Sequence, residues 1–280
     1  MEEAMRRGSR LWLAALAALL LPAVLPAGAL AQEQESGTPQ MFFVHQEVVK
    51  PAMISEYEAA AVDFVAMLGE SSEAAEKLQF EAFSGPQIGY LYVIPVDGFA
   101  GFGEVSGAFE SIAESFGERW KEVGARSDAA VERYESGFYV HRPDMSYQPE
   151  TPRLAEDEVR FVHWDFWYAI PGKAEALEEV AREFVTLYKS KSLDTGWNVY
   201  QAVTGNDLPL YVVAVGARNE ADFHANEARL NELAGKEAEA LQQKALKSAR
   251  RVEPMVGWMR PDISFPSQMA LEAPDEQGRL

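Results

Sequence analysis

A pair of segments that recurs at a constant spacing is the strongest constraint on the fold of this 280-residue chain. Residues 43–47 (FVHQE) return at 161–165 (FVHWD), 118 positions later. Residues 142–147 (RPDMSY) return at 260–265 (RPDISF) with the same spacing of 118. Because each copy opens and closes with a matched segment, we predict that the chain is internally duplicated.

The first helix predicted in each copy buries a matched set of side chains. Apolar residues recur there at steps of three and four, which is typical of an amphipathic helix. The six apolar positions of the first helix stand 120 residues before those of the second: Tyr57, Ala60, Ala61, Phe64, Val65 and Leu68 precede Leu177, Val180, Ala181, Phe184, Val185 and Tyr188. This agreement supports the duplication.

Each copy is predicted to have the element order β-α-β-β-α-β. The expected strands are 41–49, 78–83, 89–95 and 132–141 in the first copy, and 159–168, 196–202, 209–216 and 251–259 in the second. Residues 70–76 are expected to form a polar turn. The second helix of the first copy is expected to be interrupted at Gly117 or Gly124, and the long helix near 220–249 to bend at Gly235.

This order is that of a ferredoxin-like unit, whose sheet carries helices on one face only. Residues 161–168 (FVHWDFWY) are too apolar on both faces to leave either face in water. The predicted fold class is therefore α+β, with two ferredoxin-like units packed sheet to sheet as an intramolecular pseudo-dimeric α/β barrel. The predicted units are 41–147 and 159–267, with a linker at 148–158 and a loose acidic tail at 268–280. A monomer is expected to suffice.

The doubled element order over residues 41–265 resembles the dimeric α/β-barrel superfamily in its tandem, two-copy form. Members of that superfamily include cofactor-free monooxygenases, haem-handling enzymes and muconolactone-isomerase-like proteins. The resemblance therefore implies oxygenase or isomerase chemistry, with or without a haem or metal, and it fixes neither the cofactor nor the reaction.

Residues 1–31 have the pattern of a secretory signal peptide, and 32–40 that of a disordered lead-in. Three arginines precede an apolar run at 11–25, and Ala29-Leu30-Ala31 is a small-x-small cleavage site. The alternative is a membrane anchor, but the run is short for a span and contains Pro22. We expect an exported, periplasmic or extracellular protein with no membrane attachment after cleavage.

Charge and cysteine content narrow the possible partners. The net charge of −19 becomes −20 without residues 1–31, and such an acidic chain repels nucleic acid phosphates. The sequence has no cysteine, which excludes disulfides, thiolate metal sites and covalent haem attachment through cysteine.

The repeated opening segment carries the candidate catalytic residues. His45 and Glu47 lie two apart on a predicted strand and therefore share a face, as do His163 and Asp165. Because a helix-packing face rarely accepts a charge, we expect these pairs to line the space between the sheets. Each pair is a candidate general base or a candidate haem or metal ligand. The alternative is a structural pair in which the histidine and the carboxylate only satisfy each other's hydrogen-bonding groups.

A metal site built from all four side chains would require the two first strands to meet. Two separated pairs are the simpler geometry, so no metal is assigned and the cofactor is left open. His141 and His224 are expected to be ordinary structural histidines. Arg142 and Arg260 are expected to pair with Asp144 and Asp262, with anion binding as the alternative.

Aromatic and amide side chains concentrate in the second copy. The candidate ligand-binding residues are Trp164, Trp197, Asn198, Tyr200 and Gln201, which suit a flat apolar ligand held by a few polar anchors. The alternative is that they are core residues. Three functions follow: a binder of a small apolar or aromatic ligand between its sheets, an enzyme that uses the His-x-acid pairs, or a structural or interaction module with a filled core.

Overall fold

The computed structural model of the chain describes residues 40–87, 89–205 and 207–265. The predicted signal peptide, nearly all of the lead-in and the acidic tail lie outside these residues. The described strands are β1 (Met41–Val49), β2 (Glu81–Gly85), β3 (Gly89–Val96), β4 (Val131–His141), β5 (Phe161–Ala169), β6 (Asn198–Ala202), β7 (Leu210–Ala217) and β8 (Ala249–Met259). The described helices are α1 (Ile54–Gly69), α2 (Ser72–Lys77), α3 (Gly98–Phe116), α4 (Glu118–Ala130), α5 (Ala174–Ser190) and α6 (Glu220–Leu246).

The eight strands close into one antiparallel barrel in the order β1-β3-β2-β8-β5-β7-β6-β4. Strand β1 lies between β3 and β4, and β5 lies between β7 and β8. Short pairings close the barrel: Phe83 of β2 faces Met259 of β8, and Tyr139 of β4 faces Ala202 of β6. The predicted α+β class and the barrel are thus confirmed, as one closed eight-stranded antiparallel barrel.

Side chains of the barrel interior pack on one another. The buried members of this cluster come from four strands: Phe83, Trp164, Tyr168, Ala202, Leu210 and Val212. Phe83 and Trp164 meet edge to face with ring centroids 5.3 Å apart. In β5 the interior positions are the even-numbered ones, because Val162 and Phe166 join the same cluster. These contacts favour the filled-core expectation for this part of the molecule.

The odd-numbered face of β5 and the corresponding face of β1 lie under the helices. Helix α1 buries the predicted stripe, including Tyr57, Ala60 and Leu68. Helix α5 likewise buries Leu177 and Val180. Within the described residues, no helix is long and apolar enough to cross a lipid bilayer.

Two helical expectations need correction or refinement. Residues 70–76 are not only a turn, because α2 begins after Ser71, whose hydroxyl accepts a hydrogen bond from the Ala74 N–H at 3.2 Å. This N-cap stabilises a helix too short to show periodicity. The predicted interruption falls at Gly117 (φ 55°), which separates α3 from α4, and Gly235 (φ 65°) bends α6. The two glycines are again 118 positions apart.

The repeated RPD segments form two crossed clasps, which we call the first clasp (142–147) and the second clasp (260–265). Arg260 of the second clasp donates to Glu58 of α1, while Arg142 of the first clasp donates to Glu178 of α5. Each clasp, placed at the end of one half, therefore docks on the helix of the other half.

Both clasps make the same set of hydrogen bonds, one within the clasp and one to a neighbouring strand. Arg142 pairs with Asp144 at 2.9 Å and Arg260 with Asp262 at 2.7 Å, as the sequence predicts. The Ser146 hydroxyl accepts the Val199 N–H and the Ser264 hydroxyl accepts the Ala82 N–H, each at 2.9 Å. These contacts explain why the segment is repeated: it ties each last strand to the opposite half.

Candidate active site between sheet and helices

The His/acid pairs face the helices and not the barrel interior, so the expected placement between the sheets is wrong. Interior side chains alternate with them along the strands, as Trp164 does between His163 and Asp165. The charge is accommodated on the helix side because Tyr57 of α1 interacts with Glu47, and the Tyr57 hydroxyl is in turn hydrogen-bonded to Tyr92 of β3. The sequence argument failed because it did not supply these partners.

His45 links an exposed hydroxyl to a buried carboxylate. Its Nδ1 lies 2.8 Å from Ser136 Oγ, and its Nε2 lies 3.1 Å from Glu47 Oε1. His45 and Ser136 are direct partners in the antiparallel pairing of β1 with β4. The His45 side chain is 19% exposed and Glu47 is 2% exposed. Solvent access therefore falls steadily from Ser136 to Glu47.

Two buried phenols complete the surroundings of Glu47. The hydroxyls of Tyr57 and Tyr92 are 2.7 Å apart. Burial raises the pKa of Tyr57, and the negative charge of Glu47 raises it further. Burial also raises the pKa of Tyr92, again with Glu47 as the second cause. Both phenols therefore stay protonated and can donate hydrogen bonds in this buried network.

An aromatic surface adjoins the imidazole. Its members, which we call the phenylalanine patch, are Phe43, Phe99, Phe102 and Phe138. Ring centroids within it are 4.8 to 5.2 Å apart, and Phe99 remains 56% exposed. Phe43 stacks on the His45 ring at 6.2 Å. The site thus combines a proton-transfer group with an apolar contact surface.

The second pair has different partners. His163 Nε2 lies 3.2 Å from Asp165 Oδ1, and its ring stacks on Phe223 at 4.3 Å. Its Nδ1 is buried without a hydrogen-bond partner among the described residues. The residue opposite His163 on β8 is Val256, which offers no hydroxyl. The duplicated segment therefore yields one extended network, in the first half.

The four candidate metal ligands are not brought together. Across residues 40–87, 89–205 and 207–265, no group of three or more His, Cys, Asp or Glu side chains has a metal-binding arrangement. This agrees with two separated pairs. In addition, both ring nitrogens of His45 already contact protein oxygens, so an iron or zinc ion would have to displace Ser136 or Glu47.

The five candidate ligand-binding residues occupy different surroundings and do not form one pocket. Trp164 and Tyr200 belong to the barrel interior. The Trp197 indole donates to the Met145 carbonyl at 2.9 Å within a helix-covered cluster. Gln201 accepts from Arg142 at 2.6 Å, and Asn198 lies 3.2 Å from His141 at the barrel end. A role in ligand binding stays a prediction for each of them.

A cavity of about 150 Å³ lies beside Trp197 and Asn198, beneath the linker. Arg153, Asp194 and Thr195 are among its lining residues. Arg153 is held by Asp222 through two hydrogen bonds of 2.7 and 3.0 Å. The cavity is small and polar, unlike the flat apolar pocket expected from the sequence.

Ser136 was not identified from the sequence, although one signal for it exists. The register of β1 against β4 places it opposite His45. The sequence does not give that register, because β4 (VERYESGFYVH) is a charged strand without a clear apolar alternation.

Comparison with known proteins gives the fold. No family model matches the chain, and no curated protein matches it. An anthrone oxidase-like protein of solved structure has a TM-score of 0.52 at 9% identity, over 80% of this chain and 92% of its own. At such identity this likeness concerns the fold alone.

Two further solved structures are similar over comparable lengths. A provisionally assigned monooxygenase from Fusobacterium nucleatum has a TM-score of 0.49 at 10% identity, covering 79% of this chain and 92% of its own. Chlorite dismutase from Candidatus Nitrospira defluvii, in complex with imidazole, has a TM-score of 0.49 at 13% identity, covering 83% and 94%.

Proposed function

We propose that this chain is an enzyme whose active site lies between the β1–β4 pair and helix α3, with His45 as the proton-transferring group. The carrying observation is that His45 bridges the exposed Ser136 hydroxyl and the buried Glu47 carboxylate. A carboxylate on one ring nitrogen fixes the tautomer and stabilises the imidazolium that forms when the other nitrogen accepts a proton.

The substrate class we assign is a small apolar or aromatic molecule. It would rest on the phenylalanine patch, whose most exposed member is Phe99. A cofactor-free reaction is the form we favour, because the contacts of His45 leave neither ring nitrogen pointing away from protein atoms. The alternative, a ligand held between the two sheets, has less support because interior aromatic rings pack on one another there.

We also infer that the barrel is a pseudo-dimer of two ferredoxin-like units within one chain. The strand order of each half, the common offset of Gly117 and Gly235, and the crossed clasps support this. A monomer would then be sufficient. Export through residues 1–31 stays a prediction, which N-terminal sequencing of the mature chain would check.

Proton abstraction from 5-nitrobenzisoxazole, a flat aromatic probe, tests the proposed base. The ring opening releases a coloured phenolate, so the rate is read by absorbance. We expect His45→Ala to lower kcat/KM by about 100-fold, the usual contribution of a positioned general base. Glu47→Gln should lower it less, because the imidazole remains but loses its charge partner.

His224→Ala is the matched control, because His224 is an exposed helical histidine that contacts Glu227 and lies outside this network. Unfolding midpoints of all variants separate loss of activity from loss of fold. A folded His45→Ala protein with the wild-type rate would refute the proposal.

A further inference from the structure

We propose that Ser136 is a nucleophile and that Ser136, His45 and Glu47 together hydrolyse esters of apolar or aromatic acids. This inference rests on the proposed function of the same site, because it requires His45 to transfer protons. It goes further by naming the bond that is cleaved and the residue that becomes acylated.

Ser136, His45 and Glu47 stand in the order nucleophile, base and orienting group. Nucleophilic serines need a base within hydrogen-bond reach and a third group that orients the base. Ser136 Oγ is 2.8 Å from His45 Nδ1, and Glu47 Oε1 is 3.1 Å from His45 Nε2. The serine is exposed and the carboxylate is buried, so a substrate reaches the hydroxyl while the orienting charge stays shielded from water.

The pairing of β1 with β4 holds Ser136 directly opposite His45. Residues directly opposite in an antiparallel pair alternate between bonded and non-bonded pairs, and side chains of the non-bonded pairs lie closer. The His141 N–H donates across to Gln40, whereas the Phe138 N–H donates to the Thr204 hydroxyl on the other side. Ser136 is two residues from Phe138, so its backbone groups point the same way as those of Phe138. Ser136 and His45 therefore form a non-bonded pair, which exchanges no backbone hydrogen bonds. The strands themselves therefore set the serine–imidazole distance.

The backbone N–H of Ser136 can serve as a hydrogen-bond donor for the oxyanion. The same alternation turns the Ser136 N–H away from β1 and towards the edge of β4. Pairing of β4 with β6 covers only Tyr139 to His141, so β6 itself does not pair with residue 136, and the segment after β6 passes this edge with Gly205 near the Ser136 carbonyl. The N–H of a nucleophilic serine is a known contributor to oxyanion stabilisation, which is usually a large part of catalysis.

The phenylalanine patch supplies the substrate class. Phe43 contacts Phe102 at 4.8 Å and Phe138 at 5.2 Å, and it also stacks on the His45 ring. Phe138 is two residues beyond Ser136 on β4. An acyl or aryl group resting on this patch lies beside the serine hydroxyl, whereas a charged group would lose its hydration there.

The reaction balances without a further reagent except water. Ser136 Oγ bonds to the ester carbonyl carbon while its proton moves to His45 Nδ1, and the carbonyl oxygen becomes the oxyanion. The tetrahedral intermediate then breaks its bond to the alcohol oxygen, which takes the proton from His45. Water attacks the acyl-serine, gives one proton to His45, and releases the carboxylic acid as that proton returns to Ser136.

Labelling with a fluorophosphonate and hydrolysis of p-nitrophenyl phenylacetate test the proposal on the full chain. We expect one phosphonyl group per chain, located at Ser136 by peptide mass mapping, and a burst of p-nitrophenol equal to the enzyme concentration. Ser136→Ala should abolish the label and the burst. Ser115→Ala is the matched control, because Ser115 is an exposed residue whose hydroxyl is already engaged by the Ile112 carbonyl in α3.

The outcome is separable from that of the proposed function. If no adduct maps to Ser136, or if Ser136→Ala hydrolyses the ester like the wild type, the nucleophile is wrong. The assignment of His45 as the base can still be right in that case. The rate of benzisoxazole opening would then be lower in the Ser136→Ala/His45→Ala double variant than in Ser136→Ala alone. If neither reaction depends on His45, both proposals fall.

Discussion

His45 and His163 occupy the same place in a repeated segment, yet their neighbours across the sheet differ. His45 meets the Ser136 hydroxyl, while His163 faces Val256 and stacks on Phe223. Position 57 carries a tyrosine next to Glu47, and the matching position 177 carries a leucine. A pair of residues two apart on a strand is therefore not a site by itself. The opposite strand and the covering helix decide what it can do.

The ion pair of Arg153 with Asp222 gives a pH prediction at the scale of one residue. Hydrogen bonds from Arg153 lower the pKa of Asp222 to about 2. A carboxyl whose folded pKa lies below its unfolded value stabilises the fold above pH ~4, the unfolded value, and loses that contribution as pH falls through the folded value. We expect Asp222→Asn to lower the unfolding free energy at pH 7 by about 1 kcal/mol, discounted because the pair is partly solvated.

Urea unfolding of the wild type and Asp222→Asn at pH 7 and at pH 2 would measure this. The difference between the two proteins should shrink as the pH drops from 4 to about 2. Asp157→Asn, which removes an exposed carboxylate elsewhere in the linker region, is the control. A difference that is the same at both pH values would show that ionisation of Asp222 is not the cause.

The two helix breaks at Gly117 and Gly235 show how single residues shape whole elements. Both glycines have positive φ angles, at 55° and 65°, with negative ψ angles, a region that side-chain-bearing residues rarely adopt. Each break lets a long helical segment change direction over the curved outer face of the barrel. The two breaks are 118 positions apart, which is the spacing of the repeated sequence segments.

Alanine at Gly117 should destabilise the chain by about 1–3 kcal/mol, because the alanine side chain is strained at this backbone conformation. Gly124 offers a contrast within the next helix, where φ is not positive and a Cβ would meet no atom within 4 Å. There, alanine should stabilise the protein by about 0.5–1 kcal/mol through its helix propensity. Thermal unfolding of both variants measures whether each substitution stabilises or destabilises the protein. Equal effects at the two positions would show that the backbone conformation at Gly117 does not require glycine.

Elements with strong periodicity were predictable, and those fixed by capping or register were not. The stripe of α1 and the break at Gly117 follow from local sequence. Helix α2 has only six residues and depends on the Ser71 cap, so no period could reveal it. The face that carries His45 was misplaced because burial of Glu47 depends on Tyr57 and Tyr92, which come from other elements.

At the scale of the molecule, the crossed clasps hold the halves together. Arg260 donates to Glu58 and to Asp262. Only the contact with Glu58 joins the two halves. Arg142 makes the equivalent bonds to Glu178 and Asp144. The duplicated order and the barrel were foreseeable from the 118-residue spacing, but nothing in either clasp sequence shows that it crosses to the opposite half.

Arg260→Met should lower the unfolding free energy by about 2 kcal/mol, because Glu58 and Asp262 both lose their charged hydrogen-bond donor, while the Tyr90 hydroxyl still donates to Glu58. In a double-mutant cycle with Glu58→Gln we expect a coupling energy of about 1 kcal/mol, since the pair is partly exposed. The cycle of Arg142 with Glu178 is the matched comparison. Strict additivity in both cycles would show that the clasps do not join the halves energetically.

The crossing has a consequence for the exposed connector at 148–158. A protease that cuts there would cleave the polypeptide, but the two fragments would stay associated. They would still be joined by the β2–β8 and β4–β6 pairings and by the two clasps. The nicked protein would then behave as a tightly held heterodimer of its own fragments.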